Sequence, residues 1–340
     1  MINTSTVAQL PIAAFNLVNT EFGRKISLQH TTAFVFSEEL AREGLHHYLN
    51  PLNRYRETRG TTFVLVCRGK ARDFLKKNMP PLEVSPAKQV HLFLKSSKLN
   101  ALVHMIQFRE FYQDTKSISR EPVTPLVAIS EKGLNLAGPP ELDKLGDFLA
   151  GDMPSDKGEV QFIGSAVFKG DKMVGELTGD ETRYLNMITG HMELSFLVVS
   201  DPEKKGEPVG INLRQARKPK IKVRFTPETP VIEVEIYQEP EIVGVGSGIN
   251  YESTELKPVL EKALEDIIRE RCEKLVARSQ DEFRADIFGL GRYASKNFLT
   301  RSDWEKFHWE KVYPMARVEI KVHVKIRRTG LMLKTQPVHY

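Results

Sequence analysis

Residues 317–327, RVEIKVHVKIR, decide the fold class of this chain. Apolar side chains occupy every second position, and charged residues or histidine fill the positions between, which is the period of a β-strand with one buried face. The stretches KIKVRF at 220–225 and VIEVEI at 231–236 have the same period. Because each strand has one apolar and one polar face, the three together predict an antiparallel sheet that is covered on one side only.

The sequence also supplies helices to cover this sheet. One covering helix is predicted to begin at a capping box formed by Ser302 and Glu305 and to carry Trp304 and Trp309. Helices on one face of such a sheet define the α+β class, so we predict an α+β, multi-domain protein whose antiparallel or mixed sheets are each covered by helices on one face. The other covering helix is a long one predicted over 253–285. Its apolar residues form one stripe at helical spacing: Leu256, Leu260, Leu264, Ile267, Cys272, Leu275 and Phe283.

Nearer the amino terminus, residues 161–177 (QFIGSAVFKGDKMVGEL) predict a β-hairpin that turns at Gly170. Thr178 and Glu181 form a capping box that begins the next helix, and Gly190 is predicted to end it. This hairpin and helix are therefore expected to form one compact α/β unit.

Farther upstream, buried strands are predicted at 61–67 and 123–129, with apolar residues at helical spacing over 87–114. Pro122 and Pro125 favour an edge position for the second strand, because proline cannot donate a hydrogen bond to a neighbouring strand. Strands thus alternate with helices here, which predicts an α/β domain.

Two polar stretches rich in glycine and proline interrupt these patterns. Residues 131–160 hold eight Gly or Pro in thirty positions, and residues 200–210 are SDPEKKGEPVG. Such composition is typical of linkers. We therefore predict an N-terminal α/β domain over 1–150, a small middle α/β domain over 151–205 and a C-terminal α+β domain over 206–340.

The overall composition is that of a soluble globular protein. Of the 340 residues, 41% are hydrophobic and 27% are charged, which excludes a wholly disordered chain. No apolar run approaches the roughly 18 residues that a membrane-spanning helix requires. The formal net charge of +5 is the small difference between 49 basic and 44 acidic residues, so net charge alone does not indicate nucleic-acid binding.

The two cysteines and the amino terminus limit the classes of protein further. Cys67 and Cys272 lie more than 200 positions apart and no CxxC occurs, so they predict neither a disulfide framework nor a metal site. They are predicted to be buried as small apolar side chains. The first residues, MINTSTVAQLPIAAFN, lack the basic segment, long apolar core and cleavage site of a secretory signal, so the sequence as it stands predicts no export signal.

The strongest local charge signal is RQARKPKIKVR at 214–224, with six basic residues and no acid. One interpretation is a strand that follows a phosphate backbone. The other is the solvated face of a strand, paired laterally with Glu233 and Glu235 on the next strand. No aromatic residues for base stacking are interleaved with these cations, which favours the second interpretation.

Three short motifs are too incomplete to indicate catalysis or cofactor binding. Gly69 and Lys70 lie between a strand and a helix, as in a phosphate loop, but the first glycine and the magnesium-binding Ser or Thr of that motif are missing. Residues 244–248, GVGSG, lack dinucleotide-binding spacing and predict a turn. Ser85 and Lys88 match S-x-x-K, a pattern that a chain of this length contains about once by chance.

Histidine and tryptophan residues give no stronger signal. The rings of His46 and His47 point about 100° apart on a helix, so they cannot share a metal ion, and His323 is predicted to lie on the polar surface of its strand. Trp304 and Trp309 lie on different faces of a helix, so at least one is expected in the core. The sequence therefore predicts no catalytic, cofactor-binding or metal-binding residue and no lipid-attachment cysteine in this chain.

Several short segments occur in an order that is hard to obtain by chance. They are His30 with SEELAREGL (37–45), RYRETRGTTFVLVCRGKARDFL (54–75), SAVFKGDKMVGELTGDET (165–182), DIFGLG (286–291), Trp304, Trp309, Tyr313-Pro314 and VEIKVHVKIRRTGL (318–331). Together they resemble one family, the C subunit of the nutrient germinant receptors of endospore-forming bacteria, called the Ger(x)C family. The resemblance covers residues 20–332, nearly the whole chain.

Members of this family are lipoproteins on the outer face of the spore inner membrane. They work beside two integral membrane subunits, A and B, in assemblies that detect nutrients and trigger germination. The resemblance implies a non-enzymatic receptor subunit, made of mixed α/β domains, that docks on the A and B subunits without a cofactor or a nucleic-acid partner. The segment RRTG at 327–330 is a candidate contact point, although an ordinary surface turn is the simpler interpretation.

The start of the chain departs from the family pattern. Family members open with a lipoprotein signal and a lipid-modified cysteine, whereas no cysteine precedes Cys67 here. Either the start is shortened, or the chain is a variant that has lost its anchor.

Two other functions stay open at the level of the sequence. One is an extracytoplasmic module that binds the small-molecule germinant itself, which requires a concave site with convergent polar groups. The other, which ranks lower, is nucleic-acid binding through the basic strand 214–224, which would give binding a steep salt dependence.

Overall fold

The fold is that of a computed structural model, which describes residues 4–22, 25–78, 85–130, 132–133, 142, 146–155, 160–227 and 229–328. Most of the expected linker at 131–160 therefore lies outside the described residues. The helices are α1 (Pro11–Asn19), α2 (Glu38–Glu43), α3 (His46–Arg54), α4 (Ala71–Lys77), α5 (Pro86–Asn100), α6 (Phe108–Asp114), α7 (Gly179–Thr189), α8 (Lys257–Arg278), α9 (Gly291–Ala294), α10 (Arg301–Phe307) and α11 (Trp309–Val312). The strands are β1 (Ala33–Ser37), β2 (Phe63–Cys67), β3 (Val123–Ile129), β4 (Val160–Lys169), β5 (Lys172–Leu177), β6 (Leu194–Ser200), β7 (Pro208–Arg214), β8 (Lys220–Phe225), β9 (Pro230–Gln238), β10 (Glu241–Val245) and β11 (Arg317–Val324).

A five-stranded sheet in the order β1-β2-β3-β4-β5 forms the first half of the chain. Strands β1 to β3 are parallel, β4 pairs antiparallel with β3, and β4 and β5 form the predicted hairpin. Val64 and Val66 of β2 belong to one apolar cluster with α3 and α6, whereas Leu65 and Cys67 belong to another with α4 and α5. The α+β class is confirmed, but helices cover both faces of this sheet and not one, because the crossovers between parallel strands carry helices.

The expected edge position of β3 is wrong. This strand lies between β2 and β4 in the middle of the sheet, and Val123–Ala128 are all buried. Its register with β4 shifts between Pro125 and Val127. A β-bulge therefore accommodates the proline, which has no N–H to donate to the neighbouring strand.

The expected domain boundaries near residues 150 and 205 do not coincide with breaks between sheets. Strand β4 follows residue 150 but pairs with β3 of the first sheet, and β5 pairs in turn with β4. Residues 201–207 join β6 to β7, which pair antiparallel over their whole length, so the polar stretch 200–210 is a hairpin turn and not a linker. Turns and linkers share the same glycine, proline and charged residues, and composition does not separate them.

Two three-stranded sheets, in the orders β10-β7-β6 and β11-β9-β8, form the rest of the protein. The three alternating stretches form the second of these as predicted, but β8 is antiparallel to β9 whereas β11 is parallel to it. The expected antiparallel sheet is thus a mixed one, because alternation specifies the buried face of a strand and not its direction.

The expected long helix covers this sheet. It is α8, followed by a π-helical turn at Ser279–Phe283. Leu260 and Leu264 of α8 belong to the same buried cluster as Ile232 and Val234 of β9. The other face of the sheet remains polar, so this part of the prediction is confirmed.

The capping box at the start of α7 is confirmed. Thr178 accepts a hydrogen bond from the N–H of Glu181, and the Glu181 side chain accepts one from the N–H of Thr178. Gly190 ends the helix with a φ of 74°, a conformation that glycine adopts without strain.

The capping box expected at Ser302 and Glu305 is wrong. Helix α10 begins two residues earlier, and the Thr300 hydroxyl accepts the N–H of Asp303 at 3.1 Å. Both T-x-x-D and S-x-x-E fit the sequence signature of a helix start, and the structure uses the first of them.

Candidate functional site

A buried polar cluster is built around Asp286, the first residue of DIFGLG. Its carboxylate accepts the backbone N–H groups of Leu290 at 3.0 Å and Gly291 at 2.7 Å, and the indole N–H of Trp309 at 2.9 Å. Burial raises the pKa of Asp286, while these hydrogen bonds act in the opposite direction. Three donors compensate for taking the carboxylate out of water, so Asp286 ties the turn before α9 to α11.

A segment from the first half of the chain, residues 117–121, packs against this turn. The N–H of Glu121 donates to the backbone carbonyl of Asp286 at 2.9 Å. The indole N–H of Trp304 donates to the Ser119 hydroxyl, also at 2.9 Å. These bonds join the two halves of the protein. We call this contact the joint, and it consists of residues 117–121, residues 286–291, Trp304 and Trp309.

Two glycines make the close approach at the joint possible. A Cβ atom at Gly291 would lie 2.6 Å from the indole nitrogen of Trp309 and 2.8 Å from the carbonyl oxygen of Ser119. Gly289 has a φ of 71°, and a Cβ there would lie 3.0 Å from Cδ of Arg120. Any larger residue at position 291 would push the halves apart.

The two tryptophans are both buried, and their ring centroids are 5.7 Å apart. The sequence predicts different faces for them because it assumes one continuous helix. Helix α10 instead ends at Phe307, His308 adopts a left-handed φ of 53°, and α11 begins at Trp309. The break brings both rings into the same core.

Charged side chains surround the joint on the side of α6. Arg120, only 4% exposed, contacts the carboxylates of Asp114 at 3.5 Å and Glu110 at 3.3 Å, and the ring of His104 at 3.4 Å. Arg292 of α9 donates to Asp114 at 2.5 Å. Burial raises the pKa of Asp114 to about 6, against the two arginines, which lower it. Asp114 therefore lies between one arginine from each half.

A cavity of about 130 Å³ opens beside the joint, with Glu121 in its wall. The Glu121 carboxylate accepts the N–H of Gly170 at 2.7 Å. Burial raises the pKa of Glu121 to about 7, against this hydrogen bond. Since only the protonated carboxyl can donate a hydrogen bond, the hydrogen-bonding character of the wall changes near neutral pH. The lining residues are Ser117, Ile118, Arg120, Glu121, Arg284, Asp286, Trp309, Glu310 and Tyr313.

The polar groups of the joint connect neighbouring segments of the chain. The polar groups of Asp286, Trp304 and Trp309 all bind other groups of the chain. Among the residues that the structure describes, no group of three or more His, Cys, Asp or Glu side chains is placed to hold a metal ion. A network of this kind fixes the relative position of two sheets.

The basic run 214–224 ends in β8, and its cations pair laterally with β9. Lys222 lies 3.7 Å from Glu235 and Arg224 lies 3.8 Å from Glu233. This is the geometry that the interpretation as a solvated strand face predicts.

An aromatic ring does lie among these cations, although the run itself contains none. The guanidinium of Arg217 is 3.5 Å from the ring centroid of Tyr237, and His323 stacks on the same ring at 4.9 Å. His323 is exposed, as predicted. The sequence analysis missed the cluster because Tyr237 and His323 come from β9 and β11, which only the sheet brings beside β8.

The incomplete motifs occupy ordinary structural positions. Gly69, with a φ of 88°, and Lys70 line an open groove of about 640 Å³ before α4. Residues 244–248 end β10 and enter a turn. Ser85 precedes α5, and Lys88 is exposed on it.

The two cysteines, the adjacent histidines and the segment 327–330 also have ordinary structural surroundings. Cys67 and Cys272 are buried, as predicted, and burial raises the pKa of Cys67 to about 11. The rings of His46 and His47 make an edge contact in α3. Of the segment 327–330, Arg327 pairs with Glu239 at 3.2 Å, and residues 329–330 lie outside the described residues.

Two protein-family models match the chain, one on each side of the joint. The spore germination protein N-terminal domain matches residues 2–129, and the model described as spore germination B3/GerAC like, C-terminal, matches residues 163–330. The chain belongs to the Ger(x)C family. The joint of this Ger(x)C chain thus connects the two regions that define its family.

Relatives in Bacillus subtilis (strain 168) align over nearly all of this Ger(x)C chain. The putative spore germination protein YfkR is 22% identical over 326 residues, which are 95% of this chain and 77% of the relative. Spore germination protein KC is 24% identical over 94% of this chain and 76% of its own length. Spore germination protein B3 is 23% identical over 90% and 75%.

The crystal structure of the GerBC protein has the same fold. It matches with a TM-score of 0.65 and 17% identity, over 92% of this chain and 83% of the GerBC chain. Within the described ranges, no helix is both long enough and apolar enough to cross a bilayer.

Proposed function

We propose that this Ger(x)C chain is the non-enzymatic C subunit of a nutrient germinant receptor, and that it acts in spore germination by docking on the integral membrane subunits A and B. The observation that carries the proposal is the match of both of its halves to spore germination families. The named relatives are themselves spore germination proteins.

The geometry of the joint supports a docking role. A subunit that transmits or receives force from partners needs domains that keep a fixed relative position. Here Asp286, Gly291 and Ser119 join the two matched regions through close, buried contacts. Buried hydrogen-bonded networks give rigidity, so the chain can present several surfaces in one fixed arrangement.

The proposed location is the outer face of the spore inner membrane, with attachment through an amino-terminal lipid as in the family. This part of the proposal rests on family membership. It predicts that the natural gene product carries a lipid-modified cysteine upstream of residue 1 of this sequence.

Affinity capture from spores tests the proposal. The gene is expressed from its native locus, extended upstream to any in-frame start, with a carboxyl-terminal tag, and spores are separated into soluble and inner-membrane fractions. We expect recovery in the membrane fraction and, after mild detergent, co-purification of two multi-span proteins. A soluble protein without such companions would contradict the proposal.

A matched pair of variants tests whether capture of the membrane subunits depends on the joint. Gly291→Ala places a methyl group against Trp309 and Ser119 at the joint, whereas Gly244→Ala meets no atom within 4 Å. We expect the first variant to lose both companions and the second to keep them. Equal capture by both variants would show that docking does not depend on the joint.

A further inference from the structure

The polar face of the sheet β11-β9-β8 carries more cations than carboxylates. The excess of positive charge on this face is a large share of the formal net charge of +5 on the whole chain. The central strand β9 contributes the carboxylates of Glu233 and Glu235 to this face, and β11 contributes Glu319, which pairs with Arg317 at 3.0 Å. The exposed cations around Glu233 and Glu235, which together with these two glutamates we call the basic face, are Arg217, Lys220, Lys222, Arg224 and Lys321.

The two glutamates do not neutralise these cations. Glu233 is shared between Arg224 at 3.8 Å and Lys321 at 3.0 Å, and Glu235 lies 3.7 Å from Lys222. The side chains of Lys222, Arg224 and Lys321 are 67%, 72% and 52% exposed. Their charged ends therefore stay in water, available to an anion outside the protein.

One end of this sheet is apolar. The register pairs Phe225 with Pro230, and both Arg224 and Arg317 with Val231. The end of β8 and the start of β11 therefore lie at the same end of the sheet. Met315, two residues before β11, is 66% exposed there, and Phe225 is 39% exposed.

A fully exposed leucine lies beside them. The ring of Phe225 contacts the ring of Phe298, with centroids 5.5 Å apart, and the next residue, Leu299, is 100% exposed. We call Phe225, Leu299 and Met315 the apolar end. Arg224 precedes Phe225 on β8 and points to the other face of the sheet, so cationic and exposed apolar side chains lie along the same edge of the protein, on either side of the sheet.

We propose that the apolar end inserts among the headgroups of an anionic lipid bilayer while cations of the adjoining basic face bind the lipid phosphates. Anionic bilayers attract each nearby lysine or arginine, and apolar side chains stabilise attachment by entering the interface. The apolar end has only three side chains beside a larger group of cations, and an anionic bilayer offers both phosphates for the cations and an apolar interior for these side chains. The basic face and the apolar end together therefore fit a lipid surface better than an acidic protein.

Vesicle binding by the purified full chain tests this inference, and it needs no receptor subunit, so its outcome is independent of the proposed function. The probes are vesicles of phosphatidylcholine alone and vesicles that also contain phosphatidylglycerol. We expect sedimentation with the anionic vesicles only, and release at high salt because ions screen the attraction. Equal binding to both kinds of vesicle, or to neither, would overturn the proposal.

Neutralising three cations should weaken binding strongly. Lys220→Gln, Lys222→Gln and Arg224→Gln combined should lower partition into anionic vesicles about 100-fold. The matched control removes the same charge from the outer face of α8, on the other side of the sheet, with Lys262→Gln, Arg269→Gln and Lys274→Gln. A loss of the same size in this control would overturn the assignment to the basic face.

The apolar end is tested by substitution and by a label. Leu299→Ser with Met315→Ser should lower partition about 10-fold, whereas Leu99→Ser with Val243→Ser, at exposed positions elsewhere, should leave it unchanged. Because Cys67 and Cys272 are buried, Leu299→Cys accepts an environment-sensitive fluorophore selectively. Its emission should shift to the blue with anionic vesicles, and the emission of the same label on Leu99→Cys should not.

Binding to other anions separates the alternatives. Duplex DNA and an acidic peptide are offered to the same variants under the same salt conditions. Retention of DNA or of the peptide, together with failure to bind anionic vesicles, would assign the basic face to a different partner and overturn the lipid proposal.

Discussion

The joint and the basic face are both clusters of charged and polar side chains, and they differ in their access to water. At the joint, Asp286 is buried and bonded to three donors. On the basic face, Lys222 and Arg224 are exposed and their ion pairs are long. A buried group that loses its partners costs the full desolvation penalty, whereas an exposed ion pair contributes little. The buried joint therefore stabilises the fold, whereas the exposed charges of the basic face remain available to bind an anion.

The largest expected effect is at Asp286. Asp286→Ala leaves the N–H groups of Leu290 and Gly291 and the indole N–H of Trp309 buried without an acceptor. We expect the free energy of unfolding to fall by about 4 kcal/mol, measured by chemical denaturation. Asp266→Ala, at an exposed acid of α8, is the control and should change it by less than about 1 kcal/mol. A similar small loss at Asp286 would remove the contrast between the two clusters.

A smaller effect is expected from Glu121, whose pKa burial raises from 4.5 to about 7. The folded state holds the Glu121 proton more tightly than the unfolded state does, so protonated Glu121 contributes to the free energy of unfolding. This contribution is fully present below about pH 4.5 and is lost as the pH rises through about 7. Glu121→Gln removes the titration and keeps an acceptor for Gly170. Between these pH values, the stability of the unmodified protein should fall by about 2 kcal/mol more than that of the variant.

Thermal denaturation across this pH range measures the difference. Glu193→Gln, at an exposed carboxylate, is the control and should follow the unmodified protein. Parallel stability curves for the unmodified protein and for Glu121→Gln would show that Glu121 does not titrate in this range.

The smallest effect on stability is expected on the basic face. Lys321→Gln breaks the 3.0 Å pair with Glu233, but Lys321 is half exposed and solvent screens the pair. We expect the free energy of unfolding to change by less than about 0.5 kcal/mol in a denaturant titration. A loss comparable to that of Asp286→Ala would mean that the basic face is a structural network like the joint.

Local signals in the sequence predict much of this fold and little of the joint. The alternation in 317–327 predicts the buried face of β11, because the side-chain period of a strand is set locally. Its parallel pairing with β9 depends on α8 and the turns between them, so no local pattern carries it. In the same way, Pro125 locally favours an edge strand, and the bulge that places it in the middle of the sheet depends on the partner strand β4.

The joint was missed for a related reason. Arg120 and Asp114 lie far from Asp286 in sequence, and each alone is an ordinary charged residue. The available signal is a single polar residue next to apolar ones, such as Asp286 in ADIFGL or His104 in ALVHMI. Such a residue is often buried and bonded, but the sequence does not show to what.

The strand order β11-β9-β8 also affects the order in which this sheet can form while the chain is being synthesised. Strands β8 and β9 can pair as soon as they emerge, whereas β11 is the last strand of the described chain to be made. Until then one edge of β9 keeps free N–H and C=O groups beside its apolar row. Helix α8 is synthesised in this interval and covers that row, so it shields the nascent sheet before its final strand arrives. We expect a chain that stops before residue 317 to keep the open edge and therefore to be prone to pairing with other copies.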